Sequence, residues 1–172
     1  MASKFLINLS SLNVNGTKNK AKRDRVIEWI KCQNSSICFL QETHFDEKIE
    51  TEIRNNSEFN IFCSHGTTSS RGVAILIKKS LNYKLINKHN DVDGRLVLLN
   101  VEIDKKCFTL MCIYAPNCKS NRNIFFKKVN NTLKEQGIGI TIMGGDFNDT
   151  MKAIDRKKYS CRGKSVSNQS TV

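Results

Sequence analysis

Short apolar runs that are rich in β-branched residues recur along the chain, and polar turns separate them. Runs of about four to eight such residues are typical of β-strands. Eight runs predict strands, at residues 5–9, 36–41, 59–63, 72–78, 83–88, 94–103, 107–114 and 139–144. Residues 73–77 are apolar at every position, which predicts a strand in the middle of a sheet that is covered on both faces.

Three further segments repeat their apolar residues at the spacing of an amphipathic helix, at residues 20–33, 46–56 and 121–136. The predicted N-cap of the last one is Ser120 or Asn121. The helices separate the early strands, whereas short hairpin connections join the middle ones. The pattern therefore predicts an α/β layered sandwich whose sheet is mixed.

The domain organisation follows from the length and from the change in composition near the end. The 172 residues suit one domain with a real core, and no repeat or linker is visible before about residue 150. The remaining sequence is polar and lacks periodicity. We expect one domain over residues 1–158 and a disordered basic tail over residues 159–172.

The charge balance narrows the choice of partner. The chain has 28 Lys and Arg against 16 Asp and Glu, a net charge of +12. This favours a polyanion, nucleic acid first and an anionic membrane surface second, over an indifferent basic surface. No apolar run approaches the roughly 20 residues that span a bilayer, and no secretory signal is visible. We expect an intracellular protein, nuclear or cytoplasmic.

The seven cysteines are odd in number and include no C-x-x-C pair. Zinc sites built from cysteine need closely spaced pairs. Most of the seven lie within apolar runs. We therefore expect buried, reduced thiols that pack as small hydrophobic residues.

Four groups of polar residues lie where predicted strands end. They are Asn13 and Asn15, then Gln41, Glu42 and His44, then Tyr114 and Asn117, and finally Asp146, Asn148 and Asp149. Each group alone fits an ordinary turn or a solvated side chain. Together they supply the carboxylate and amide oxygens that a hard cation such as Mg²⁺ prefers.

The same residues fit the metal-assisted hydrolysis of a phosphodiester. Asp146 and Asn148 stand two apart, so an extended backbone would project them from one side. One can then orient a water while the other donates to a phosphoryl oxygen. Gly144 and Gly145 let backbone and substrate approach closely, and Tyr114 can stabilise the developing charge on the phosphate.

The ordered motifs "LNVNG", "LQETH", "GVAILI", "GRLVLLNV", "IYAPN" and "GGDFND" resemble the endonuclease/exonuclease/phosphatase superfamily. The chain is most similar to the apurinic/apyrimidinic-endonuclease-like (exonuclease III-like) domain of non-LTR retrotransposons, and the pair Asp155–Arg156 resembles its Asp-Arg. The resemblance implies a layered α-β-β-α sandwich of two mixed sheets, incomplete at the C-terminus. It also implies a Mg²⁺-dependent DNA phosphodiester hydrolase, with Mn²⁺ as the alternative ion. We expect this hydrolase to be a monomer that does not bind a membrane.

The resemblance also implies roles for individual residues. Asn13 and Glu42, with Asp146 and Asn148, are implied metal residues, and Asn15 stands where other members place an acid. Tyr114 is implied to contact phosphate, Asp146 to activate the water and Asn148 to stabilise the transition state. The implied DNA contacts are Asn15, Asn117 and Arg156, with support of the catalytic network as the alternative for Asn117. Arg95 is a candidate for a structural or phosphate contact.

One departure from the family pattern changes the expectation about activity. Members of the family end in a Ser-Asp-His motif, and nothing after Asp155 matches it. We therefore expect weak or absent turnover, one incomplete sheet with an exposed edge, and reduced stability. Two alternatives stay open, an inactive retroelement remnant that at most binds nucleic acid, and a phosphodiesterase acting on lipid or inositol phosphates.

Overall fold

The structure is a computed structural model that describes residues 6–67 and 69–149. Eight strands and three helices follow one another along this part of the chain. In chain order they are β1 (Leu9–Asn13), α1 (Lys20–Cys32), β2 (Ile37–Gln41), α2 (Glu47–Asn56), β3 (Phe59–Ser64), β4 (Val73–Lys78), β5 (Lys84–Asn90), β6 (Leu96–Ile103), β7 (Lys106–Tyr114), α3 (Lys119–Gln136) and β8 (Ile140–Asp146).

The strands form two four-stranded sheets, with the orders β1-β2-β4-β3 and β5-β6-β7-β8. Each sheet contains one parallel pair, β1 with β2 and β7 with β8, and its other pairs are antiparallel. A helix connects the strands of each parallel pair, because parallel neighbours need a long crossover. The prediction of mixed sheets is confirmed.

Helices α1 and α2 cover the outer face of the first sheet. Ile30 of α1 and Ile49 and Ile53 of α2 pack in one cluster with Leu40 and Leu76 of the sheet. Asp46 caps α2, since its side chain accepts a hydrogen bond from the Ile49 amide at 2.8 Å. The outer layer is therefore held by both apolar burial and a capped helix start.

The inner faces of the two sheets pack against each other and form the centre of the core. Ile75 of β4 and Phe39 of β2 share a cluster with Leu99 and Leu110 of the second sheet. All of residues 73–77 are buried, as predicted for a central strand. Each valine, leucine or isoleucine side chain among them contributes about 1.5–3 kcal/mol relative to an exposed position.

Helix α3 covers the remaining face, where Phe125 and Val129 pack on Leu98 and Met111 of the second sheet. The layers therefore run α-β-β-α, and the expected sandwich of two mixed sheets is confirmed. None of the helices in residues 6–67 and 69–149 is both long and apolar enough to cross a membrane. In the described residues β8 lies at the edge of its sheet, and its Ile140 is 56% exposed.

The first strand lies four residues later than the pattern predicted. The apolar run at 5–9 overlaps β1 only at Leu9, and the residues of β1 pair in parallel from Leu9 with Ile37 to Asn13 with Gln41. The polar residues Ser10 and Ser11 hide this strand from a hydrophobic pattern. Ser10 is accommodated because the Ser35 hydroxyl lies 2.8 Å from its own.

Two other predictions need correction. The N-cap of α3 is Cys118, which makes no side-chain capping bond, so neither Ser120 nor Asn121 caps the helix. Of the described cysteines, Cys38, Cys63 and Cys112 are buried as expected, but Cys32 and Cys118 are exposed at helix ends. The predicted tail at 159–172 and the pair Asp155–Arg156 lie outside the described residues.

Candidate active site

Four strands end at one edge of the sandwich, and their last residues carry the polar groups. The parallel pair β1 and β2 ends at Asn13 and Gln41, and the parallel pair β7 and β8 ends at Tyr114 and Asp146. Parallel strands bring their carboxyl ends to the same edge, where ligands of α/β proteins bind. Since β8 also packs on β1 across the sandwich, the two pairs of ends meet.

Asn13 joins two carboxylates that are far apart in the sequence. Its amide nitrogen donates to Glu42 Oε1 at 2.8 Å and to Asp146 Oδ2 at 2.9 Å. Its amide oxygen accepts from the backbone N–H of Asn15 at 3.0 Å. Asn13 thus holds Glu42 and Asp146 at one point, and its own predicted role as a metal ligand stays a prediction.

These carboxylates fit a hard divalent ion. Because both bond the same nitrogen, their oxygens lie within roughly 6 Å of each other, which one partly hydrated Mg²⁺ can bridge. Two acids at this separation repel each other, and the single amide between them offsets only part of that repulsion. The donor set therefore suits Mg²⁺ or Mn²⁺, with Glu42 and Asp146 as the residues that would hold it.

The backbone at Glu42 is held in an uncommon conformation. Its φ is 53°, in the left-handed region that side chains other than glycine rarely adopt. The Glu42 carbonyl accepts from the Gly16 N–H at 2.6 Å, and the next residue, Thr43, bonds both Thr17 and Gly72 through its backbone. Such over-determined strain is common at functional sites. Here it turns the Glu42 side chain back towards Asn13.

Tyr114 lies between a cation and the two acids. The Arg95 guanidinium lies 5.2 Å from the ring centroid and also donates to the Tyr114 carbonyl at 3.0 Å. Burial raises the pKa of Tyr114 to about 12, a hydrogen bond with Glu42 and the charges of Glu42 and Asp146 add to the rise, and Arg95 opposes it. Tyr114 is therefore protonated at neutral pH and acts as a hydrogen-bond donor.

Asp146 and Asn148 do not share an extended backbone, contrary to the prediction. Asn148 has a φ of 48°, and its N–H donates to Asp146 Oδ1 at 2.9 Å, so the chain turns immediately after β8. Both residues nevertheless line one cleft. Asn148 Nδ2 donates to the Ala115 carbonyl at 2.7 Å, which fixes the amide and leaves its second hydrogen for another acceptor.

The glycines before Asp146 serve packing more than substrate approach. A Cβ on Gly144 would lie 2.6 Å from the Phe39 ring, inside the core between the sheets. A Cβ on Gly145 would meet the Ile113 carbonyl of the neighbouring strand. The expectation that both glycines admit substrate is therefore corrected for Gly144. Gly145 also lines the cleft.

The cleft at this edge measures about 870 Å³ and contains basic residues that sequence reasoning missed. Lys119 and Arg122 of α3 line it together with Asp146, Asn148 and Asp149. Arg122 is 7% exposed, donates to the Asn117 carbonyl at 2.9 Å and lies 3.3 Å from Asp149. Its position within the amphipathic helix gave no signal of this role, since a cation there suits any solvated face.

The predicted DNA contacts are only partly brought to the cleft. Asn15 and Asn117 are exposed on loops next to it, whereas Arg156 lies outside the described residues. His44 packs its ring on Gly16, where a Cβ would lie 2.6 Å from the imidazole. The His44 ring supports the loop that carries Asn15 and is not part of the group formed by Glu42 and Asp146.

The fold is a two-sheet α/β sandwich. The polar cleft at its strand ends is of the kind in which hydrolases place their active sites. Residues 10–168 match the model of the Endonuclease/Exonuclease/phosphatase family. The chain belongs to this family, whose members hydrolyse phosphoester bonds. It is also 30% identical over 162 residues to the Transposon TX1 uncharacterized 149 kDa protein of Xenopus laevis, covering 94% of this chain and 12% of that protein.

Solved structures with the same fold include enzymes with different substrates. TDP2 of D. rerio, complexed with single-strand DNA product, has a TM-score of 0.65 at 21% identity and covers 84% of this chain and 61% of its own. An AP endonuclease from Archaeoglobus fulgidus has a TM-score of 0.64 at 18% identity and covers 87% of this chain and 60% of its own. A mannosyl-6-phosphatase of Bacteroides thetaiotaomicron has a TM-score of 0.61 at 12% identity and covers 83% of this chain and 66% of its own. The chain thus spans less than two thirds of these structures, and at such identities the likeness establishes the fold alone.

Proposed function

We propose that this protein is a Mg²⁺-dependent hydrolase of DNA phosphodiester bonds, with Mn²⁺ as the alternative ion. The observation that carries the proposal is the convergence of Glu42 and Asp146 on the Asn13 amide, at 2.8 Å and 2.9 Å. Two carboxylates that follow strands of separate sheets meet there, and Asn13 and Asp146 line the cleft. A divalent ion held by them would neutralise charge on the phosphate that is attacked.

The remaining polar groups have complementary parts in the reaction. Asp146 accepts a proton from, or orients, the attacking water. Asn148 donates its second amide hydrogen to a phosphoryl oxygen, since the first is engaged by Ala115. Tyr114 donates from its protonated hydroxyl to the developing charge, and Arg95 holds its ring and carbonyl in place. Such fixed donors are the usual source of transition-state stabilisation in phosphoryl transfer.

DNA is the favoured substrate because of charge and likeness. The net charge of +12 and the presence of Lys119 and Arg122 in the cleft suit a polyanionic backbone. The structural neighbours include TDP2 complexed with single-strand DNA product and an AP endonuclease, and the Xenopus laevis relative is a transposon protein. Asn15, Asn117 and Arg156 are proposed contacts to the DNA, and Asn13 is proposed to join the metal residues.

The test is nicking of supercoiled plasmid with the protein in excess, so that even one slow turnover registers, with and without Mg²⁺. A parallel substrate carries one abasic site. We expect metal-dependent nicking that Glu42→Gln and Asp146→Asn strongly reduce. Matched exposed acids give the controls, Glu28→Gln and Asp104→Asn, which should leave the rate unchanged.

Two results would replace the proposal. Salt-sensitive DNA binding with no nicking in either ion would identify a nucleic-acid-binding protein without catalysis. Hydrolysis of a lipid, inositol or sugar phosphate with no action on DNA would keep the family chemistry and move the substrate class. Separately, nicking that survives both Asp146→Asn and Glu42→Gln would contradict the proposal, because the cleavage would then not depend on the two carboxylates.

A further inference from the structure

A second cluster of ligating side chains lies away from the candidate active site. It joins Glu50 of α2 with Cys63 of β3 and His65, two residues further along. Side chains two apart on an extended chain point to the same face. Cys63 and His65 therefore both face the helix that carries Glu50.

The contacts in this cluster are close and largely shielded from water. His65 Nε2 lies 2.9 Å from Glu50 Oε2, and the ligand atoms of all three residues lie within 4.8 Å of one another. Cys63 is 3% exposed, whereas the His65 side chain is 29% exposed, so solvent reaches the group from one side. The other Glu50 oxygen pairs with Arg54 at 2.6 Å.

The donor set decides which ion fits. A thiolate and an imidazole with one carboxylate suit Zn²⁺, whereas Mg²⁺ takes oxygen ligands. Zinc binds sulfur at about 2.3 Å and nitrogen at about 2.0 Å, so a tetrahedral site spaces its ligand atoms roughly 3.3–3.6 Å apart. The observed separations, from 2.9 Å to at most 4.8 Å, bracket this spacing.

We propose that Glu50, Cys63 and His65 form a Zn²⁺ site, with a water from the exposed side as the fourth ligand. The site is distinct from the Glu42–Asp146 pair. Three protein ligands around one water give zinc its usual tetrahedral coordination.

A hydrogen-bonded trio without a metal explains the cluster less completely. Nδ1 of His65 is the one buried side-chain nitrogen or oxygen that lacks a partner among residues 6–67 and 69–149. This nitrogen stays without a partner whether Nε2 bonds Glu50 or an ion, so it does not distinguish the two cases. The charges do distinguish them, because a bound cation offsets the Glu50 charge beside the thiol, which Lys88 and Arg54 also oppose.

Metal binding at Cys63 must release a proton. Burial, followed by the Glu50 charge, raises the pKa of Cys63 well above its ordinary value, so the metal-free thiol keeps its proton. Zn²⁺ replaces this proton, which passes to solvent, and forms the zinc–thiolate bond. Zinc affinity should consequently rise with pH.

The position of the cluster points to a structural role. The chain runs from His65 to Gly66, and Gly94 packs so closely on Gly66 that a Cβ would collide with its backbone. Gly94 precedes Arg95, which lies over Tyr114. An ion at His65 would therefore tie α2 to the loop that supports the rim of the candidate active site.

The experiment uses Co²⁺ as a spectroscopic probe and Zn²⁺ as the ligand, on the untagged full chain. The two exposed thiols of the described residues are first removed by Cys32→Ser and Cys118→Ser, and Cys161, which lies outside the described residues, by Cys161→Ser, so that none of the three contributes a cobalt–thiolate band. We expect one Co²⁺ per chain with a cobalt–thiolate charge-transfer band, displaced by Zn²⁺. Zn²⁺ should also raise the Tm.

Three variants test the assignment. Cys63→Ser should remove the charge-transfer band, and His65→Gln and Glu50→Gln should weaken Zn²⁺ binding by about 10- to 100-fold or more. Glu47→Gln on the same helix and His89→Gln are matched controls and should leave binding unchanged. Because His65 is partly exposed, its variant keeps the test valid if Cys63→Ser fails to fold.

Two results would overturn the proposal. A chain that shows no cobalt–thiolate band, and whose Tm Zn²⁺ leaves unchanged, contains only a hydrogen-bonded trio. A band that persists in Cys63→Ser would place the ion on another cysteine.

Discussion

The two clusters of ligating side chains differ in donor chemistry and in exposure. The strand-end cluster of Asn13, Glu42 and Asp146 offers only oxygen and nitrogen of amides and acids and opens onto a cleft of about 870 Å³. The helix–strand cluster of Glu50, Cys63 and His65 mixes sulfur, nitrogen and oxygen around a buried thiol. An open oxygen site suits an ion that meets substrate, whereas three mixed ligands around a largely buried thiol, with one position left to water, suit an ion that ties a helix to a strand.

The largest expected effect separates the two clusters by function. Asp146→Asn should lower DNA nicking by about 10²–10⁴-fold, because it removes the group that activates water and helps to hold the ion. The cobalt–thiolate band of the helix–strand cluster should stay unchanged in the same variant. A single-turnover nicking assay and a cobalt titration of one preparation measure both. A parallel loss of both signals would mean that the clusters are not independent.

Tyr114→Phe should lower the nicking rate by about 10²-fold, since it removes one fixed hydrogen-bond donor. Because the pKa of Tyr114 is raised to about 12, the donor keeps its proton well above the ordinary value of 10.0. The ratio of wild-type to Tyr114→Phe rates should therefore be the same at pH 10 as at neutral pH. The raised pKa of Tyr114 also contributes to the free energy of unfolding. This contribution is present below pH 10 and is lost as the pH rises through about 12. A rate ratio of one at neutral pH would contradict the donor role, and a ratio that falls towards one between neutral pH and pH 10 would contradict the raised pKa of Tyr114.

Gly144→Ala should lower the free energy of unfolding by about 1–3 kcal/mol, because the new methyl group collides with the Phe39 ring between the sheets. Denaturant unfolding gives the value, and Thr141→Ala at an exposed position of the same strand is the control. Equal stability of the two variants would show that β8 can move away from Phe39 without cost. Zinc binding should be unaffected in both.

Arg54→Gln should have the smallest effect. Its ion pair with Glu50 is half exposed on the arginine side, so its loss lowers the metal-free stability by less than about 1 kcal/mol. The variant frees one Glu50 oxygen, and we expect Zn²⁺ to bind a few-fold more tightly. Zinc titration followed by the change in Tm checks both parts. Weaker zinc binding in the variant would show that Arg54 positions Glu50 for the ion.

The sequence predicts most of the layers, since continuous burial and helical spacing are local signals. Residues 73–77 form a strand whose side chains are all buried. Residues 107–114 form a strand that pairs with β6 along its length. β1 was misplaced because its stability comes from pairing with β2 and from the Ser10–Ser35 contact, which a hydrophobic pattern cannot contain. Register and edge position depend on contacts between distant residues.

The candidate site was predicted in its residue types and only partly in its geometry. Motifs at strand ends identified Glu42 and Asp146, and the parallel pairs bring them together. The turn that binds Asn148 to Asp146 and the packing of Gly144 on Phe39 appear only in three dimensions. The sequence gives no signal of the cluster of Glu50, Cys63 and His65, because its ligands come from a helix and a strand and include no closely spaced cysteine pair.

The most direct test of the central claim is Mn²⁺ binding to the wild type, Glu42→Gln, Asp146→Asn and the double variant, followed by electron paramagnetic resonance of the free ion. One shared ion predicts that each single variant loses at least about tenfold in affinity and that the double variant loses little more than either. Wild-type affinity in both single variants would show that Glu42 and Asp146 do not hold a common metal, and the proposed hydrolytic centre would be wrong.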